Sequence, residues 1–241
     1  MTPTLKIFLD GADRAAILEM VGNPQVQGFT TNPSLMKKSG VKDYPAFCQE
    51  ILTQVNGKPI SFEVFADEFT EMKRQGLEIA SWNKSPAGKQ NLYVKIPVTN
   101  SKGESAVPLI RELSHAGVQL NVTAVFTIQQ CVEVCTALKG GAPSILSVFA
   151  GRIADTGRDP MPIMAAALEI CREADKNIEL LWASTREAFN IVQAQQVGAH
   201  IITAPLDLVK KASHFGKDLK LMSLETVQAF KLDAEAAGFQ L

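Results

Sequence analysis

Short runs rich in β-branched and aromatic residues recur along the chain and alternate with stretches whose apolar residues fall at helical spacing. The strand-like runs are KIFLD (6–10), VQGFTT (26–31), PISFEVFA (59–66), NLYVKI (91–96), QLNVTAVF (119–126), SILSVFA (144–150), IELLWAS (178–184) and AHIITA (199–204). Each is followed by an amphipathic stretch, from DRAAILEMV after the first to LDLVKKASHFG after the last. Several of these close on glycine just before the next strand, as in LSHAGVQLNV and QQVGAHIITA, which is a helix stop. Eight strand and helix alternations in 241 residues predict an α/β fold, a single (β/α)8 TIM barrel over 1–241, rather than an open doubly wound sheet. No GxGxxG follows the first strand and no P-loop pattern occurs. The segment at about 222–241 predicts a helical extension, with Phe230 and Phe239 expected to pack on the chain's own core and docking on another subunit as the alternative.

Charge and cysteine content narrow the function classes. The 24 basic against 25 acidic residues give a net charge of −1, so no strong field favours nucleic acid or an anionic membrane. The N-terminus reaches Asp10 without a basic region and a long apolar core, and no stretch approaches ~18 uninterrupted apolar residues, so neither a signal peptide nor a membrane span is expected. Cys48, Cys131, Cys135 and Cys171 form no CxxC pair, and His115, His200 and His214 are scattered. The expectation is free thiols in a reducing, cytoplasmic compartment and no metal site.

Parity along the strands then singles out polar residues. In a parallel barrel one parity faces the helices and the other the interior, and chemistry sits at the C-terminal ends of the strands. In NLYVKIPV, Val94 and Ile96 suit the helix layer, turning Tyr93 and Lys95 toward the axis, and Pro97, lacking an N–H, is expected to end the strand near Lys95. The same exercise turns inward Asp10, Glu63, Asn121 with Thr123, Ser147 with Phe149, and Trp182 with Ser184, while Asn32 ends the second strand before Pro33.

Barrel interiors are ordinarily filled by Val, Ile and Leu, and burying an unpaired charge costs several kcal/mol. Lys95, Asp10, Glu63, Asn32, Asn121, Thr123 and Ser147 gathered near one rim therefore point to a site whose lysine, its pKa lowered by desolvation, attacks a carbonyl as the neutral amine. Arg152 and Arg186, just past the sixth and seventh strands, could with Ser184 supply forked donors to a phosphate dianion. Asp155 and Asp207 read as helix caps.

At these residues the sequence resembles the transaldolase family, in the short-chain branch shared with fructose-6-phosphate aldolases. FLDGAD is similar to the family's first-strand Asp motif, GFTTNPSL with Thr31 and Asn32 to its second-strand motif, and NLYVKIPVT to the segment bearing its Schiff-base lysine. NVTAVFT, SVFAGRIAD and ASTRE continue the series in order. The resemblance implies that Lys95 forms an iminium with the C2 carbonyl of a ketose phosphate and that Asp10 takes the C4 hydroxyl proton. Glu63 and Thr123 would hold a proton-shuttling water. Asn32, Asn121 and Ser147 would orient the lysine and the dihydroxyacetone unit, with Thr31 and Phe149 also in the substrate site, while Arg152, Arg186 and Ser184 would bind phosphate.

The resemblance also implies no cofactor, fructose 6-phosphate or sedoheptulose 7-phosphate with erythrose 4-phosphate as substrates, and a place in the pentose phosphate pathway. Rings of five or ten subunits are the expected assembly. Aldolase members carry Gln where this chain has Glu63 and Tyr where it has Phe149, which favours transfer over release. Gly11, where Thr or Ser is common, and Trp182 in the seventh strand depart from the pattern. Three other readings remain open: an aldolase releasing free dihydroxyacetone; an isomerase or epimerase using Glu63 and Asp10 as acid and base, with Lys95 only electrostatic; and a silent barrel.

Overall fold

The computed structural model describes residues 5–83 and 91–240. Eight strands, β1 (Lys6–Asp10), β2 (Val26–Thr30), β3 (Ile60–Glu63), β4 (Leu92–Pro97), β5 (Leu120–Val125), β6 (Ser144–Val148), β7 (Ile178–Trp182) and β8 (Ile201–Ala204), pair in parallel in chain order and close through β1 and β8. The expected (β/α)8 barrel is thus the fold observed. Around it run α1 (Arg14–Val21), α2 (Pro33–Lys38), α3 (Tyr44–Gln54), α4 (Phe69–Ser81), α5 (Val107–His115), α6 (Ile128–Leu138), α7 (Ala150–Asp155), α8 (Met161–Ala174), α9 (Phe189–Val197), α10 (Leu206–Lys211) and α11 (Leu219–Ala237).

Two short helices at the catalytic ends of strands are additions to the sequence pattern. Helix α2 begins where Asn32 caps it, with Pro33 supplying a first residue that needs no N–H. Helix α7 follows β6 directly. Strand β4 also runs further than expected, with Pro97 in register with Thr123. Val94 and Val98 donate toward β5, so position 97 faces β3, where the Val64 N–H still donates to the Lys95 carbonyl and the proline, lacking an N–H, gives no further bond.

The core divides as strand parity requires. Phe29, Phe62, Val94, Val122, Val148 and Leu180 pack against the helix layer. Phe8, Ile145, Leu181, Ala183 and Ile201, with Tyr93 and Phe149 against them, fill the barrel interior. Trp182 belongs to the first group, which corrects its expected inward parity. Leu181 of β7 and Ala183 just past its end face inward, and Ser184 follows beyond the strand. Gly28 on β2 is forced by this filling, because a Cβ there would stand 2.6 Å from the Phe8 ring.

The C-terminal helix does not follow its expected packing. It starts at Leu219, where Asp218 accepts from the Lys220 and Leu221 amides, and none of its residues is buried. Phe230 and Phe239 are 68% and 81% exposed, so they do not pack on the chain's own core. Among the described residues the four cysteines are free and buried, no group of three or more His, Cys, Asp or Glu is placed to hold a metal, and no helix is long and apolar enough to cross a membrane.

Candidate active site

Register brings the lysine to its partners. On β4, Lys95 stands opposite Glu63 of β3 on one side and Asn121 of β5 on the other. Its side chain is only 8% exposed, with Nζ 3.1 Å from Glu63 Oε2 and donating to the Thr31 carbonyl at 3.1 Å. An ammonium this deep needs such partners, since desolvation costs several kcal/mol per ion.

The backbone beneath Glu63 is fixed by a local consequence of sequence. The β2 to β3 ladder ends with Thr31 N–H donating to the Ser61 carbonyl, and position 33, next in the alternation, is a proline. The Glu63 carbonyl instead accepts from Tyr44 Oη at 2.6 Å. Below the lysine, Asn121 Nδ2 donates to Ser61 Oγ at 2.9 Å and Ser147 Oγ donates to Asn121 Oδ1 at 2.6 Å, joining β3, β5 and β6. The Thr31 hydroxyl donates to the Ser61 carbonyl.

Asp10 ends β1 on the same rim. Thr30 Oγ1 donates to its Oδ1 at 2.8 Å. Burial pushes the Asp10 carboxyl above its ordinary value, and the Lys95 charge and the Thr30 bond only partly oppose this. Thr123, on β5, has a buried hydroxyl with no hydrogen-bond partner among the described residues. Beside it Ala124 has φ +59°, within a shift of the β5 to β6 register, a conformation that costs a non-glycine residue about 1–3 kcal/mol.

The expected phosphate residues lie on the loops after β6 and β7. Ser184 has φ +65° and is held from three sides. Gly151 packs so closely that a Cβ would overlap the Ser184 carbonyl, Thr185 Oγ1 donates to the Thr203 carbonyl at 2.6 Å, and Asn190 Oδ1 accepts from the Arg186 and Glu187 amides. Arg152 stacks 5.2 Å over the Phe149 ring, which lies 5.6 Å from that of Phe126. Both arginines are exposed.

Some expectations change here. Asp155 is no helix cap: it closes α7 and takes the Arg186 fork through Nε at 3.1 Å and Nη2 at 2.5 Å, which holds its carboxyl below the usual range. Asp207 lies in the first turn of α10 without a side-chain cap bond and pairs with Lys211. Asn32 spends its Oδ1 on the Leu35 amide as cap of α2. Thr30, Thr203, Ser61 and Tyr44 escaped sequence reasoning. Inward parity could have found the first three, whereas the Tyr44 contact joins a helix to a strand and had no local signal.

A closed (β/α)8 barrel whose rim buries a lysine against a carboxylate, among inward hydroxyls and an amide, presents a candidate active site at that rim. The chain belongs to the transaldolase/fructose-6-phosphate aldolase family, whose model matches residues 7–241. It is 34% identical over 238 residues to a "Probable transaldolase" of Thermoanaerobacter sp. (strain X514), covering 98% of this chain and 100% of that one. It is also 34% identical over 210 residues to a "Probable transaldolase" of Bdellovibrio bacteriovorus, covering 87% and 90%. Among solved structures, the tryptophan synthase A-subunit of Pyrococcus furiosus superposes with TM-score 0.56 at 14% identity, over 89% of this chain and 91% of that one. KGPDC from Streptococcus mutans gives 0.51 at 12%, over 85% and 88%. At such identities these two speak for the barrel alone.

The buried Asp10 carboxyl has a consequence for stability. With its pKa raised on folding, the native chain keeps this proton at pH values where the unfolded chain has released it, so the group's contribution to stability falls as pH rises through that interval. Asp10→Asn should therefore melt above the wild type at pH 8, by about 2–4 °C for each kcal/mol recovered, with the gap shrinking toward pH 4. A variant melting below the wild type at pH 8, or a gap independent of pH, would contradict this.

Proposed function

We propose that the chain is a transaldolase that moves a dihydroxyacetone unit from a ketose phosphate to an aldose phosphate through a Schiff base on Lys95. The observation that carries the reading is the buried Lys95 amine, held 3.1 Å from the Glu63 carboxylate at the catalytic ends of the strands. A primary amine there can add to a carbonyl once its proton has passed to a neighbour, and Glu63 is the neighbour in contact.

The proposed reaction uses these positions in turn. Lys95 Nζ adds to C2 of the ketose to give a carbinolamine, whose hydroxyl leaves as water when Glu63 returns a proton, forming the iminium. The Thr123 hydroxyl, buried without a partner among the described residues, supports a role in holding that water beside Glu63. Asp10 takes the proton of the C4 hydroxyl, the C3 to C4 bond breaks, and its electron pair moves onto the iminium to give an enamine. The aldose phosphate departs, and the enamine C3 attacks the carbonyl carbon of an acceptor, which recovers a proton from Asp10. Addition of water to the new iminium releases the product ketose. A carboxyl whose pKa burial raises above its ordinary value is the stronger base for this proton.

The Asn121 and Ser147 pair and Asn32 would orient the dihydroxyacetone hydroxyls and the lysine, beside Thr31, whose carbonyl holds Nζ. Arg152, Arg186 and Ser184 would receive the phosphate. The scheme calls for no metal or organic cofactor, and its sugar phosphates belong to pentose phosphate metabolism in the cytoplasm. Phe149, packed on Phe126 under Arg152, has no proton to donate to the enamine, which favours transfer over release of free dihydroxyacetone.

Incubation with fructose 6-phosphate and erythrose 4-phosphate should yield sedoheptulose 7-phosphate, with little dihydroxyacetone when the acceptor is omitted. Lys95→Met should lower the rate on the order of 10³-fold or more. Phe149→Tyr should raise the share of free dihydroxyacetone. A wild-type protein that releases dihydroxyacetone as fast without an acceptor as it transfers with one, or a Lys95→Met variant that retains the rate, would sink the reading.

A homo-oligomer, a ring of five or ten copies, belongs to the same proposal. Leu219, Val227, Phe230 and Leu232 are each 60% exposed or more along α11, an apolar display of the kind that seats on another subunit. Light scattering should give a mass of several chains, and a monomeric mass at micromolar concentration would remove this part.

A further inference from the structure

Behind Asp10 lies a pair of hydroxyls that the reaction scheme leaves unused. Thr30 on β2 and Thr203 on β8 come from the two strands that flank β1, and they are 2% and 5% exposed. Thr30 stands in register with Asp10, and Thr203 with Phe8. Thr30 Oγ1 donates to Asp10 Oδ1 at 2.8 Å, Thr203 Oγ1 lies 2.5 Å from Thr30 Oγ1, and the Phe8 carbonyl is 3.5 Å beyond Thr203 Oγ1.

Hydrogen-bond capacity fixes how this chain can be wired. Each hydroxyl has one proton to give, an ionised carboxylate only accepts, and a carbonyl only accepts. While Asp10 is ionised, Thr30 must donate to it, and the short contact between the threonines is then filled by donation from Thr203. Once Asp10 is protonated it can donate to Thr30, which turns its own proton to Thr203, and Thr203 turns to the Phe8 carbonyl. Both protonation states leave every buried hydroxyl paired. A group able only to donate, or only to pack, at position 203 would satisfy one state or neither.

We propose that Thr203 is a positioning residue for the base: it holds Thr30 as a donor to ionised Asp10 and reverses with Thr30 when Asp10 takes up its proton. The inference rests on the reading of Asp10 as the base that accepts the substrate hydroxyl proton. Other charges act on Asp10 as well. Lys95 of β4 faces it across the rim with Glu63 beside the lysine, and α10, packed behind β1, carries Asp207, Lys210 and Lys211 on its solvent side. None of these groups changes in the variants below.

The test is the titration of Asp10 itself, followed by carbon NMR of protein labelled at the aspartate carboxyls, with the Asp10 signal assigned by its loss in Asp10→Asn. Thr203→Val keeps the shape and removes the hydroxyl from both arrangements, so the Asp10 midpoint should move by about one pH unit. The acid limb of kcat for ketose turnover should move with it in the same direction while KM stays unchanged, and Thr203→Ser should return both to the wild-type position. Thr203→Ala serves as a second deletion of the hydroxyl should the valine variant fold poorly. An Asp10 midpoint unmoved in a folded deletion variant, or one that serine fails to restore, overturns the inference. A midpoint that moves while the acid limb of turnover stays in place overturns instead the reading of Asp10 as the base, and with it the role given to Thr203.

Discussion

Everything at the catalytic rim depends on keeping one ammonium inside a barrel. At 3.1 Å and an effective dielectric of about 20, the attraction between Lys95 and Glu63 is roughly 5 kcal/mol, comparable with the cost of drying the two groups. The pair therefore adds little to stability on balance, yet losing either member would strand a buried charge. The surroundings follow from this constraint. The Thr31 carbonyl takes a second ammonium proton, and Tyr44 fixes the Glu63 backbone where the ladder runs out at a proline. The second buried carboxyl, Asp10, would leave the rim with excess negative charge, and burial relieves this by keeping its proton to higher pH. Two carboxyls of one chemical type thus differ through their surroundings alone: Glu63 lies against the Lys95 ammonium, and burial raises the pKa of Asp10.

The rigid parts of the site are paid for in backbone conformation. Ala124 and Ser184 both occupy the left-handed region without being glycine, and each lies one or two residues from a candidate site residue: Ala124 next to Thr123, Ser184 two before Arg186. Such conformations persist only where neighbours over-determine them. At Ser184 the neighbours are the Cβ-free face of Gly151, the bond from Thr185 to the Thr203 carbonyl, and Asn190. Asp155 extends the same loop by gripping Arg186.

Much of this was legible in the sequence, because a barrel strand has a period of two and one face must be apolar. That rule alone turned Lys95, Glu63, Asp10 and Asn121 inward. It failed on β7, where two apolar faces meet and Trp182 suits the helix layer as well as the interior. Pro97 ends only the pairing with β3, because its missing N–H leaves the other side of the strand, where Val98 donates to the Thr123 carbonyl, free to continue. Asp155 was misread because its partner Arg186 is distant in sequence and comes from the next strand's loop. The C-terminal helix has the composition of a packed element, yet none of its residues is buried against the described part of its own chain. These errors share one cause: each depends on which element lies alongside, and no local pattern carries that information.

The claim at the centre of the account is that Lys95 forms a covalent bond with substrate. Incubation with fructose 6-phosphate, reduction with borohydride and peptide mass spectrometry would address it directly, with Lys95→Met as control. The account predicts a three-carbon adduct on Lys95 and none in the variant. A folded protein that turns over the ketose but gives no reducible adduct, or gives one on a different lysine, would contradict it.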